Sequence, residues 1–399
     1  MKLLITAGGK YMSGKQRNVM LLVIIVMILA GGAVFLRWQD SKRVSNYHRP
    51  SIKNLTQFPQ TYVDNNREKI IVEIPEVYEL LNVVIAISDR AQEGTINVNR
   101  HNKQYYPKVI DRFSQYKDHS AVTKIQETMQ KRGYSYVRKL FAYNFENGVI
   151  KHGGIYNEDE VKQLGEEHAE LLADFAEKSD FRRFYKENRN YYQQQIEIFK
   201  EMVPLKEIWS WLETNFPQRH DCYRVVLSPL VYGSHNTLNF ADESKDYSEI
   251  LMFVSTAQHI NSFDKVSEPF RKSLVTRMVF TEIDHNYVNP VTNEDKNIAR
   301  VAEAFSNLDK WNTKNNYRSP ALTFNEYMTW SVACLYVFDN YQTENYNKFL
   351  ESTIQTMNYR GFVLFDKFYD RLLELYMKRE YGETIYDLYP EILKWAKDM

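Results

Sequence analysis

The five residues Thr281-Glu282-Ile283-Asp284-His285 combine the residue types and spacing of a zinc-binding helix, with one exception. In the pattern His-Glu-x-x-His, two imidazoles one turn apart bind the metal, and the glutamate beside them activates a metal-bound water. Glu282 and His285 occupy the positions that this pattern requires, and Thr281 replaces the first histidine. The chemistry of the segment therefore depends largely on that threonine.

Helical geometry places the altered position on the same face as the other two. At about 100° per residue, one sector of about 100° contains Met278, Thr281, Glu282 and His285. The preceding turns of this sector are apolar, so it is predicted to face the core. A buried carboxylate or imidazole is costly unless it is paired, hydrogen-bonded or metal-bound. The helix is predicted to end near Asn289-Pro290, because proline disfavours helical geometry in the residue before it.

A second predicted helix, near 322–338, contains another inward-facing carboxylate. Glu326 shares a helix face with Trp330 and Ala333. A glutamate supplied by a second helix completes the metal site in one class of zincins. The alternative for the first helix is that Glu282 and His285 hydrogen-bond each other or nearby backbone.

The segment Val279 to Pro290, followed by Glu326, resembles an uncharacterised bacterial family of exported zincin-like proteins of the gluzincin type. The motif of that family approximates His-Glu-Phe-x-His-x-Phe-Val-Asn-Pro. The strand end Ser228-Pro229-Leu230 and the turn Gly233 to Asn236 are also similar to it. The resemblance covers about residues 68–399 and implies a zincin-like domain there.

This resemblance implies that Glu282 is the general base of a metallopeptidase and that His285 and Glu326 bind zinc. It also implies that a strand at 223–230 or 250–254 lies beside the cleft and pairs with an extended peptide. Thr281 departs from the family at the first ligand position.

Three arrangements of the altered site remain open. In the first, no metal binds and Thr281 donates a hydrogen bond into a Glu282–His285 network. In the second, another residue completes the metal site. In the third, a harder ion with more oxygen ligands binds. The candidate substitute ligands are His235, His259 and Asp284. Asp284 is disfavoured because it lies about 200° from Glu282 around the helix.

Two functions follow from these alternatives. The first is an exported metallopeptidase-like protein with a degenerate zinc site, which hydrolyses peptide bonds if active. The second is a catalytically inactive protein that keeps the zincin scaffold and binds a peptide or protein. A third interpretation is a buried polar network in an unrelated helical domain. The 51 basic and 51 acidic residues balance, which argues against a nucleic-acid partner.

The N-terminus predicts contact with a membrane. Residues 1–17 are basic, and the segment 18–37 contains an uncharged apolar run, Val19 to Leu36, that spans roughly 27 Å if helical. This segment is either a transmembrane anchor or a signal peptide cleaved near Ala30 to Ala33. The folded part is therefore expected to be extracytoplasmic and membrane-anchored, or secreted to the periplasm after cleavage. Residues 38–67 are predicted to be a polar spacer.

The remaining chain, 68–399, predicts a mostly helical α+β domain with a small sheet before the motif helix. The predicted strands are Lys69 to Ile74, Tyr223 to Leu227 and Ile250 to Val254. Predicted helices cover roughly 103–118, 119–132, 158–178, 181–214, 294–310, 322–338, 344–357, 362–379 and 386–397. The two cysteines, Cys222 and Cys334, form either a disulfide or two separately buried thiols.

Overall fold

In the computed structural model, the chain is mostly helical around a small sheet. The structure describes residues 54–399 except residues 95, 97, 157, 258–265 and 315. The described residues all belong to the unit Arg49–Met399. The α+β fold class predicted from the sequence is confirmed.

Strands and helices are mixed along the chain up to Ser255, and the described chain beyond it is helical. The strands are β1 (Asn54–Leu55), β2 (Lys69–Glu73), β3 (Tyr143–Glu146), β4 (Val149–His152), β5 (Cys222–Ser228), β6 (Asn236–Asp242) and β7 (Tyr247–Ser255). The helices before β5 are α1 (Gln60–Asn66), α2 (Glu76–Ala86), α3 (Asp89–Gln92), α4 (Tyr106–Phe113), α5 (Ser120–Arg132), α6 (Tyr134–Val137), α7 (Asp159–Lys178), α8 (Phe181–Glu187), α9 (Arg189–Met202) and α10 (Leu205–Asn215). The helices after β7 are α11 (Glu268–Ile283), α12 (His285–Thr292), α13 (Asp295–Ala304), α14 (Leu308–Trp311), α15 (Pro320–Asn340), α16 (Thr343–Tyr359), α17 (Phe365–Lys378) and α18 (Tyr389–Asp398).

A five-stranded mixed sheet has the order β1-β6-β7-β5-β2. The strands β2, β5 and β7 are parallel, and β6 is antiparallel to β7. All residues of β7 are buried, as expected for a strand covered on both faces. The predicted strands 223–227 and 250–254 are confirmed as β5 and β7. Their expected role beside a cleft is wrong, because each has a neighbouring strand on both sides and cannot pair with a peptide.

The motif segment forms two helices that follow each other almost without a break. α11 packs on β6 and β7 and against α15 and α16, while α12 packs on β6 and α15. The predicted end near Asn289-Pro290 is wrong, because Pro290 lies inside α12. Its missing N–H removes one helical bond, but the Asn293 N–H still donates to the Asn289 carbonyl at 3.0 Å and closes the last turn.

Arg224 in β5 connects three strands and α1 on one face of the sheet. Its Nε donates to Glu249 Oε1 at 2.6 Å, and its Nη1 donates to Glu73 Oε1 at 2.8 Å. Glu249 Oε2 accepts from the hydroxyl groups of Tyr62 at 2.8 Å and Tyr247 at 3.1 Å. Glu249 is fully buried, so its charge is balanced within the protein by Arg224 and these donors.

The predictions for the spacer, the cysteines and the membrane segment have different outcomes. Residues 54–66 belong to the segment expected to be a spacer, yet they contain β1 and α1. Cys222 and Cys334 are both buried and free, which decides between the two alternatives for the cysteines. No helix among the described residues is long and apolar enough to span a membrane, and the predicted segment 18–37 lies outside them.

We expect Arg224→Met to lower the free energy of unfolding by about 3–5 kcal/mol, because it leaves the buried Glu249 carboxylate without its cation. Urea denaturation followed by circular dichroism measures this change. The matched control is Arg183→Met, since Arg183 forms an exposed pair with Glu187. That control should cost less than about 1 kcal/mol. Equal losses for the two variants would show that the Arg224 network does not stabilise the sheet.

Candidate functional site

Three helices and one helix end bring the predicted site residues together. α11 presents Thr281 and Glu282, α12 begins at His285, and α15 presents Glu326 from the opposite side. Arg360 follows directly after α16 and reaches the same place. The packing of α11 and α12 against α15 and α16 therefore converts residues distant in sequence into one cluster.

His285 and Glu326 face each other at the centre of this cluster. The distance from His285 Nε2 to Glu326 Oε1 is 3.7 Å, which is too long for a hydrogen bond and forms an ion pair only when the imidazole is protonated. On the other side of the ring, His285 Nδ1 lies 3.2 Å from Asn289 Oδ1. Because an amide oxygen only accepts, Nδ1 is the donor, and in the neutral ring the Nε2 lone pair faces Glu326.

Arg360 is the cation that pairs with Glu326. Its Nη2 donates to Glu326 Oε2 at 2.7 Å and to the Tyr317 hydroxyl at 3.0 Å. The guanidinium lies 4.8 Å from the centroid of the Trp330 ring and 5.2 Å from that of Phe362. Glu326 is only 5% exposed, so this bond is made where water screens charge poorly. Aromatic faces and one carboxylate thus hold Arg360 in place.

Tyr317 adopts an unusual backbone conformation beside this pair. Its φ is +61°, in the left-handed region that residues other than glycine rarely adopt. Such a residue persists only where its surroundings hold it. The hydrogen bond between Tyr317 and Arg360 is one contact that does so.

Glu282 has the electrostatic properties of a group that exchanges protons near neutral pH. Burial raises the pKa of its carboxyl to about 7. His285, Arg138 and Arg360 lower this pKa, and the charge of Glu326 raises it. The raised pKa therefore reflects desolvation of the carboxyl, which the nearby positive groups offset only in part.

Thr281 uses its hydroxyl within its own helix. The Oγ1 donates to the Arg277 carbonyl at 3.0 Å, one turn earlier. Arg277 itself donates to Thr353 Oγ1 at 2.9 Å and lies 5.3 Å from the Trp330 ring centroid. Burial lowers the pKa of Arg277 to about 10. The expected hydrogen bond from Thr281 into a Glu282–His285 network is therefore wrong, since its proton goes to the backbone.

Of the three candidate substitute ligands, the two that the structure describes, His235 and Asp284, do not complete the site. His235 Nε2 lies 3.2 Å from Ser255 Oγ, at the ends of β6 and β7. His259 lies outside the described residues. Asp284 is fully buried between α11 and α12, and no described group makes a hydrogen bond of acceptable geometry with its carboxyl oxygens. Burial raises the pKa of Asp284 well above its usual value, and the nearby charges of Glu282 and Glu326 raise it further.

A catalytic zinc centre requires three protein ligands and an open position, and the described residues of this site do not supply them. His285 and Glu326 are the two suitable donors, but Arg360 already neutralises Glu326. Thr281 offers a neutral hydroxyl that is engaged elsewhere. Among the described residues, no group of three or more His, Cys, Asp or Glu side chains is arranged to hold a metal ion. We therefore assign no chemical step to a metal.

The model of one protein family, described as Domain of unknown function (DUF4932), matches residues 146–395. This chain belongs to that family. The DUF4932 region contains β5 to β7 and every residue of the cluster described above except Arg138. No curated protein and no solved structure matches the chain. The zincin-like and metallopeptidase relationships implied by the resemblance remain predictions.

Sequence reasoning missed Arg360, Arg277 and Tyr317. Arg277 lies four residues before Thr281 on the same helix face, so helical spacing is a signal that would have included it. Arg360 and Tyr317 lie at a helix end and in a loop, where no spacing rule applies. Only the packing of α16 against α15 shows that Arg360 meets Glu326.

We expect Glu282→Gln to flatten part of the pH dependence of stability. The folded-state pKa of Glu282, about 7, is above its unfolded value of 4.5. Its contribution is therefore fully present below pH 4.5 and is lost as the pH rises through 7. Between pH 5 and pH 8, the free energy of unfolding of the wild type should fall by about 2 kcal/mol more than that of the variant.

Urea denaturation at these two pH values measures the difference. Glu282→Asp keeps a buried carboxyl, one methylene closer to the backbone, and is expected to retain the larger fall. Parallel pH profiles for the wild type and Glu282→Gln would contradict the raised pKa.

Proposed function

We propose that this chain is a catalytically inactive, polypeptide-binding protein built on a zincin-like scaffold. Its ligand is an extended segment that pairs with the outer edge of β6 and passes beside the His285–Glu326 cluster. The observation that supports this proposal is the edge of β6 that the described residues leave partly uncovered, next to a cluster whose glutamate is paired with arginine. The expected export of the folded part and its attachment to a membrane remain part of this proposal.

β6 has an edge that described residues cover only in part. β7 pairs with β6 along its whole length, from Asn236 to Asp242. On the other side, β1 pairs only with Phe240 and Ala241. The described part of the chain places no strand beside 236–239.

The backbone of this edge has donors and acceptors directed outward. The Thr56 N–H donates to the Ala241 carbonyl at 2.9 Å, so the backbone groups of Ala241 point away from β7. Backbone direction alternates along an antiparallel pair, so those of Thr237 and Asn239 point the same way. An extended polypeptide satisfies such groups by adding a strand, which is a common mode of peptide recognition.

The same edge is attached to the motif helix. Asn286 Nδ2 donates to Thr237 Oγ1 at 2.9 Å, and Asn286 directly follows His285 in α12. A segment bound along 236–239 therefore passes close to the cluster. Bond cleavage there would require a bound metal or another electrophile to polarise the carbonyl, and the described residues supply no metal site.

We expect Asn239→Pro to weaken polypeptide binding by about 10-fold, because proline removes an outward N–H and obstructs the added strand. Reduced, carboxymethylated α-lactalbumin carrying a fluorescent label is a suitable unfolded probe, and fluorescence anisotropy measures its binding. Asn239→Ala is the matched control, since it removes the side chain but keeps the N–H. It should bind the probe as the wild type does.

Three outcomes would contradict the proposal. Equal probe binding by Asn239→Pro and Asn239→Ala would show that β6 is not the binding edge, as would slow hydrogen exchange at Thr237 and Asn239 without a ligand. Probe cleavage that is abolished by both a chelator and Glu282→Gln would instead establish a metallopeptidase. Mass spectrometry of the probe after incubation detects that cleavage.

A further inference from the structure

We propose that Arg360 takes the place of a metal cation, so that its guanidinium, together with Thr281, excludes zinc from the His285–Glu326 cluster. The Glu326–Arg360 ion pair would then be a substitute for metal coordination. This inference concerns the charge balance of the cluster and holds whether or not β6 binds a polypeptide.

The two oxygens of Glu326 have different neighbours. Oε1 faces His285 Nε2 at 3.7 Å, and Oε2 accepts from Arg360 Nη2 at 2.7 Å. The first separation is close to that between two ligands of one zinc ion, since zinc–ligand bonds are about 2.0–2.1 Å. The cluster therefore retains the spacing of a partial metal site while its glutamate is already neutralised.

The surroundings hold the guanidinium at this position. Tyr317 shares the same Nη2 donor, and the aromatic rings of Trp330 and Phe362 lie against the group. A divalent ion at Glu326 Oε1 would lie near this fixed positive charge in a largely buried place, where repulsion is poorly screened. Arg277 adds a second positive charge beside Trp330.

The pairing of Glu326 with Arg360 predicts what happens when the first histidine of the motif is restored. Thr281→His supplies the missing imidazole, but Glu326 remains paired with Arg360. The single change should therefore raise zinc affinity only modestly. Combining it with Arg360→Met removes the competing cation, keeps an apolar side chain near the rings, and frees both oxygens of Glu326.

The test is zinc titration of the full chain against a competing fluorescent chelator, for the wild type, Thr281→His, Arg360→Met and the double variant. We expect no stoichiometric zinc in the wild type or Arg360→Met. The double variant should bind zinc at least about 10-fold more tightly than Thr281→His. Adding Glu326→Gln to the double variant should abolish that gain.

Equal zinc affinities for Thr281→His and the double variant would overturn the proposal. Stoichiometric zinc in the wild type would also overturn the proposal. This holds even if His259→Ala removes that zinc. If Arg360→Met does not fold, the unfolding of Glu326→Gln and of Glu326→Gln/Arg360→Met decides the question. If Glu326→Gln/Arg360→Met folds, Arg360 forms a charge pair with Glu326 and the proposal is supported. If neither this variant nor Arg360→Met folds, Arg360 has a packing role and the proposal is overturned.

Discussion

The pairing of Glu326 with Arg360 is the interaction on which the arrangement of the cluster depends. A carboxylate as deeply buried as that of Glu326 requires a cation or hydrogen-bond donors, and Arg360 supplies both through one short bond. Because Glu326 lies in α15 and Arg360 follows α16, the bond also connects these two helices. Removal of either partner would leave the other charge buried without compensation.

The sheet positions the motif helices through contacts on a single face. Tyr223 in β5 and Tyr287 in α12 join their hydroxyl groups in a buried hydrogen bond, and Asn286 bonds to Thr237 in β6. The opposite face contains the Arg224–Glu249 network, which attaches α1 to the strands. Polar contacts on both faces therefore define the register of a sheet whose central strands are otherwise apolar.

Sequence periodicity predicted the elements better than it predicted their neighbours. The apolar runs at 223–227 and 250–254 correctly indicated buried strands, and helical spacing placed Thr281, Glu282 and His285 on one face. Proline at position 290 misled the prediction, because tertiary packing of α12 outweighs the loss of one backbone bond. β6 was not predicted, because its half-buried residues, Asn236 to Asn239, lack the apolar alternation of a typical strand.

The candidate site was predictable only where its members share a helix. Glu282 and His285 are three residues apart, so local geometry suffices to bring them together. Their meeting with Glu326 was inferred from a resemblance, and the structure places His285 and Glu326 in proximity. Arg360 depends on the path of the chain through α16, which no local pattern contains. Arg360 neutralises Glu326, and it therefore changes the ability of the cluster to bind a metal more than Thr281 alone does.

The two free cysteines have a consequence for how the folded state can be studied. Cys222 belongs to the sheet and Cys334 to α15, and burial raises the pKa of both thiols, that of Cys334 to about 12. The reactive thiolate is therefore rare in the native protein, and folding requires no oxidant. A thiol reagent would modify each position only when its surroundings open. The two labelling rates would thus show whether the helices around the cluster separate from the sheet or unfold together with it.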